Sequence, residues 1–131
     1  MSVYLWVALG SAAGGVLRLA IGTFIQQRTG STFPVGTLLV NATGSFALGF
    51  LLRYALATPA VSPELRALLA TGLCGGFTTF STFSYEAAAL LEDGDYQRAA
   101  WYVALSLVLG IACAFLGFGT ARAALDLRRR L

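Results

Sequence analysis

Four apolar stretches, roughly residues 3–25, 34–56, 64–91 and 96–125, fill most of this 131-residue chain and leave only short polar connections. A helix needs ~20 predominantly apolar residues to cross ~30 Å of hydrocarbon, so each stretch is long enough to span a bilayer. Charged residues make up only 11% of the chain, less than half of the ~25% usual in a soluble domain. Too little polar surface is left for a fold that closes around a core in water. These proportions exclude a soluble enzyme, a disordered segment and a nucleic-acid-binding domain. They predict an all-α integral membrane protein, a single transmembrane domain over residues 1–131 built from four helices.

Local signals mark the ends of the spans. Residues 26–33 are polar and include Gly30, which predicts a loop. Pro34 stands at the start of the second helix, where a missing N–H costs nothing. Ser62-Pro63-Glu64 has the pattern of an N-cap followed by proline in the first turn. Glu92-Asp93-Gly94-Asp95 is the most polar stretch and belongs in water. All nine basic residues are arginines and the net charge is +3. With four spans and both termini in the cytoplasm, six arginines (Arg53, Arg66, Arg122 and Arg128 to Arg130) fall on the cytoplasmic side and two (Arg28 and Arg98) on the other. That is the orientation that positive-inside counting favours. The only dense basic cluster is the C-terminal one, which reads as a membrane anchor rather than a nucleic-acid footprint. Cys74 and Cys113 lie inside apolar stretches with no histidine in the chain, which suits neither a disulfide framework nor a side-chain metal site.

Polar residues inside the spans carry the functional signal, because unsatisfied polar groups in hydrocarbon cost several kcal/mol each. On the first helix, Arg18 shares a stripe with Ser11, Gly14, Gly15 and Gly22. The Gly10 and Gly14 pair reads as close helix packing. Arg18 either snorkels to the interface or lines a wet vestibule that concentrates anions. On the second helix, Thr37, Asn41 and Ser45 follow at i, i+4 and i+8, as either interhelical glue or one wet face. The third carries Gly75-Gly76-Phe77-Thr78-Thr79-Phe80-Ser81-Thr82-Phe83-Ser84-Tyr85-Glu86, with six hydroxyl residues within eight positions. The paired glycines and adjacent threonines predict a helix broken mid-membrane near residues 75–79, with Phe80, Phe83 and Glu86 on one face beyond it. A break frees carbonyls that can coordinate a hard cation. On the fourth, Tyr102, Ser106 and Gly110 repeat the i, i+4, i+8 spacing as a hydroxyl track. Hydroxyls, an amide, a guanidinium and the positive edges of phenyl rings together suit a small anion.

These residues resemble the Fluc fluoride channel family, also called CrcB. The resemblance runs along essentially the whole chain: Gly14-Gly15 with Arg18, Pro34 to Asn41 with Gly44, and Gly75 to Phe83 with Glu86. It implies a fluoride-selective channel that lets fluoride leak passively out of the cell, seated as a multi-pass protein in the plasma membrane (the bacterial inner membrane), and not an enzyme. It also implies an antiparallel, dual-topology homodimer with a structural Na⁺ on its two-fold axis, held by the backbone carbonyls of Gly75 and Thr78 of each subunit. By position, Phe80 and Phe83 match ring-edge fluoride ligands and Asn41 the pore amide. Ser81, Thr82 and Glu86 would lie along the pore, Thr37, Tyr102 and Ser106 match the polar track, and Arg18 matches the vestibule arginine. Gly110 stands where some members have a hydroxyl. Antiparallel pairing requires insertion in both directions, so the six-to-two arginine distribution leaves two partners open, a second copy or a homologous chain of opposite orientation. Two other classes compete with the channel: a small proton-coupled organic-cation exporter, for which Glu86 would be the shared carboxylate, and a structural subunit whose polar stripes are only helix glue.

Overall fold

A computed structural model describes residues 2–130, and no strand occurs among the described residues. Helices α1 (Val3–Thr29), α2 (Val35–Ala57) and α6 (Tyr96–Arg130) are unbroken, and each is long and apolar enough to cross a membrane. The remaining apolar stretch is segmented into α3 (Pro63–Arg66), a π-helical run (Ala67–Cys74), α4 (Gly75–Phe77) and α5 (Phe80–Glu92). Between α4 and α5, Thr78 and Thr79 are extended. At the head of α3 the Ser62 hydroxyl accepts from the Leu65 N–H at 3.2 Å, the cap that Ser-Pro-Glu announces. Large apolar side chains such as Val16, Phe24, Val108 and Phe115 stand on the outside, as they do in a protein whose solvent is lipid.

Helix α1 runs four residues past its apolar stretch, so the loop expected over 26–33 is shorter than the polarity suggests. Hydrophobicity marks where the membrane ends, not where the helix does. What ends α1 is Gly30, in the left-handed region at φ 58°, with its N–H on the Gln26 carbonyl at 3.2 Å. Gln26 then ties the connection together. Its amide nitrogen donates to the Phe33 carbonyl at 3.1 Å, and its Oε1 accepts from the Gly36 N–H at 3.0 Å. An L-residue at position 30 is strained by about 1–2 kcal/mol. Gly30→Ala is therefore expected to lower the thermal unfolding midpoint of the detergent-solubilised protein by a few degrees, without changing its elution volume.

Packing relies on backbone approach. A Cβ at Gly10 would meet the Leu68 carbonyl, one at Gly14 the Leu73 carbonyl, and one at Gly76 the Ser11 carbonyl. Small residues thus seat α1 directly on the π-helical run and α4. Gly75 and Gly76 are themselves helical, so within the expected 75–79 the backbone leaves the helix at the threonines, at Thr78, and not at the glycines. Gly76 serves contact with α1 rather than flexibility. The α2–α6 seam is built the same way, Gly49 beneath the Ala114 carbonyl and Gly117 beneath that of Phe46. Val40 and Tyr102 are the largest side chains buried completely, and they mark where the helices converge.

Candidate functional site

The break at Thr78–Thr79 organises the site. Thr78 has ψ 159° and Thr79 φ −150°, ψ 117°, an extended pair that β-branched threonines adopt easily. In a continuous helix the Thr79 N–H would donate to the Gly75 carbonyl and the Thr82 N–H to that of Thr78. Here Thr79 N–H donates to Asn41 Oδ1 at 2.7 Å, while Asn41 Nδ2 donates back to the Thr79 carbonyl at 3.0 Å. Asn41 thus stands in for a missing peptide and satisfies both orphaned groups of Thr79. The Thr79 hydroxyl caps α5, accepting from the Thr82 N–H at 3.2 Å and donating to Thr82 Oγ1 at 3.0 Å. Both helical donors are thereby drawn away from the Gly75 and Thr78 carbonyls.

About two turns beyond the break, Glu86 gathers two hydroxyls from other helices. Thr37 Oγ1 on α2 donates to its Oε1 at 2.9 Å, and Tyr102 on α6 donates to its Oε2 at 2.6 Å. The Tyr102 ring is fully buried; Phe33 meets it edge-on at 5.5 Å between centroids, and Phe83 packs on it at 5.2 Å. Phe80 follows Phe83 at 5.8 Å. Ser106, one turn along α6 from Tyr102, has the only buried side-chain polar atom without a hydrogen-bond partner among the described residues. It is a donor with nothing in the chain to donate to. In front of Glu86 a cavity of about 800 Å³ opens, and Arg18, Thr37, Thr79, Thr82 and Glu86 all line it. The one ion pair among the described residues joins Arg98 to Asp95 at 3.4 Å, so Arg18 makes no direct ion pair with Glu86 or Asp93, the two carboxylates that line the cavity with it.

The fold therefore brings Arg18, Thr37, Thr82 and Glu86 onto one cavity. Phe83, Tyr102 and Ser106 lie outside its lining, and Asn41 is engaged with the break. Phe80 is 79% exposed and Ser81 and Gly75 are also exposed, away from the cavity within this chain. Thr79 escaped the sequence reading as a site residue, although its backbone N–H, carbonyl and hydroxyl are all committed at the break and it is the one buried polar residue among those described. A threonine immediately before Phe80, the first apolar residue of the helix, is an N-cap signal that points to it.

A family model described as CrcB-like protein, Camphor Resistance (CrcB), matches residues 5–118. The chain belongs to the CrcB family. Among curated CrcB relatives, the fluoride-specific ion channel FluC of Aquifex aeolicus is 48% identical over 118 residues, 90% of this chain and 95% of its own length. That of Thermus thermophilus is 50% identical over 118 residues, 90% of this chain and 94% of its own. That of Rhizobium meliloti is 45% identical over 123 residues, 94% of this chain and 98% of its own. The match to the CrcB model begins in α1 and ends in α6, so it takes in the break and every residue that meets Glu86.

Proposed function

We propose that this CrcB protein is a fluoride-selective channel that lets fluoride leave the cytoplasm passively. It is a multi-pass plasma-membrane protein and not an enzyme. The observation that carries the reading is the broken helix, splinted by Asn41, beyond which Glu86 accepts from Thr37 and Tyr102 and Phe83 packs on Tyr102, in a chain whose relatives are named fluoride-specific channels. A fluoride ion gives up hydration only where fixed donors replace it, as carbonyls replace the water of K⁺ in its own channels. Arg18 is the one cationic side chain of the cavity, which Glu86 and Asp93 also line. Ser106 and the second Asn41 amide hydrogen offer uncommitted donors, and Phe80 and Phe83 offer positive ring edges. Glu86 already accepts hydroxyls on both oxygens, which disperses its charge along an anion route. The proton-coupled cation exporter that Glu86 alone suggests has no support among the relatives.

The same proposal includes an antiparallel pairing, with a second copy or with a homologous chain. Supporting it, α5 leaves Phe80, Ser81, Ser84 and Tyr85 exposed, and hydroxyls on a membrane helix need a cover other than lipid. In such a pair, Gly75 and Thr78 of each subunit would hold the structural Na⁺. The residues fit the ion, because the break removes the helical donors of both carbonyls and leaves hard oxygen ligands. Bound there, Na⁺ would supply positive charge between two facing breaks.

Fluoride efflux from liposomes containing the purified protein, compared with chloride, tests the function. Fluoride is expected to leave many times faster than chloride, and equal rates would overturn the reading. Phe83→Ile keeps bulk and loses the ring edge, an interaction of ~0.5–1.5 kcal/mol. It is expected to slow fluoride about tenfold with an unchanged elution profile.

A further inference from the structure

A second cleft lies far from the break, where the end of α2 meets the last turns of α6. It measures about 430 Å³, and its lining includes Arg53, Leu56, Arg122, Leu125, Asp126 and Arg129. On α6 the lining positions 122, 125, 126 and 129 form one stripe, and 53 and 56 answer it from α2. Three guanidinium groups surround one carboxylate, and no ion pair joins Asp126 to any of them among the described residues. The site is therefore cationic and its donors are uncommitted. We propose that this cleft binds the headgroup of an anionic phospholipid.

Depth, chemistry and shape each support that occupant. From Arg98 to Arg122 helix α6 advances about 36 Å at 1.5 Å per residue, a little more than the ~30 Å hydrocarbon core. With Arg98 at one interface, Arg122 stands among the headgroups of the other. Arginine forks match phosphodiester oxygens in a bidentate way. Leu56, 72% exposed, and Leu125 supply an apolar wall that a lipid's glycerol and first methylenes can use and a free phosphate cannot. Outside the cleft lining, Arg128 donates to Thr58 Oγ1 at 3.1 Å and to the Tyr54 hydroxyl at 3.4 Å. Those bonds hold the end of α6 against α2 and keep the cleft formed. Basic pockets between membrane helices are established sites for such headgroups. The cleft shares no lining residue with the cavity at Glu86, so the inference stands independently of the fluoride reading.

The test is native mass spectrometry of the purified full-length protein in detergent, titrated with phosphatidylglycerol and, separately, with phosphatidylcholine. Phosphatidylglycerol is expected to stay bound and phosphatidylcholine to be lost, with millimolar inorganic phosphate failing to displace the lipid. The double variant R53Q/R122Q is expected to bind phosphatidylglycerol about thirtyfold more weakly, while R53K/R122K keeps most of the affinity. An unchanged elution volume and thermal unfolding midpoint establish that the double variant is folded. If it does not fold, Arg129→Gln alone decides, with an expected loss of about fivefold. Equal retention of the two lipids, insensitivity to the glutamine variants, or displacement by inorganic phosphate would each overturn the proposal.

Discussion

Asn41→Ala is expected to cut fluoride efflux by a hundredfold or more and to lower the thermal unfolding midpoint at the same time. The alanine removes the acceptor for the Thr79 N–H and the donor to its carbonyl in one step. An unsatisfied backbone group in a membrane interior costs several kcal/mol, and even the smaller values from soluble proteins are ~1–3 kcal/mol per group. The cheapest relief is for Thr79 to rejoin the helical ladder and donate to the Gly75 carbonyl. That rotates α5 about the axis and carries Phe83 and Glu86 away from Tyr102 and Thr37. Asn41→Asp separates the two bonds, since a carboxylate still accepts from the Thr79 N–H but donates nothing to its carbonyl. It is expected to fall between the wild type and the alanine variant in stability. A direct anion contact alone predicts slower flux with an unaltered unfolding midpoint. That outcome would dispose of the splint.

How much of this was legible beforehand follows from what each signal encodes. Hydroxyl density after the paired glycines located the break to within a few residues, because so many polar side chains cannot face lipid. The break falls at Thr78–Thr79, inside the expected 75–79; that the glycines stay helical was not legible, since the demand on Gly76 comes from Ser11 of another helix. The Gly10 and Gly14 spacing announced close packing but not its partner. The Thr37–Glu86–Tyr102 cluster joins residues from three helices, and helical spacing fixes only what shares a face within one. The overrun of α1 to Thr29 and of α6 to Arg130 was hidden because helices continue into water after apolar residues stop. Nothing in the composition of Ala67–Cys74 marks that run as π-helical.

Gly14→Ala and Gly15→Ala are expected to behave oppositely, although they differ by one position. A methyl at Gly14 runs into the Leu73 carbonyl and lies 2.8 Å from the Phe77 nitrogen and 3.1 Å from the Gly76 carbonyl carbon. All three are backbone atoms, so no rotamer change relieves the clash and α1 has to move off the π-helical run and α4. Overpacking of this kind typically costs ~1–3 kcal/mol, and between membrane helices close packing is itself a main source of association. The unfolding midpoint should drop by roughly 5–10 °C. Because α4 leads directly into Thr78, its displacement should also reduce fluoride efflux. A methyl at Gly15 meets nothing within 4 Å. Alanine there gains up to ~1 kcal/mol of helix propensity, so stability should hold or rise and efflux should persist. Equal unfolding midpoints for the two variants would mean that the α1 seam tolerates separation, and that the position of α4, and with it the break, is set by α2 through Asn41 alone.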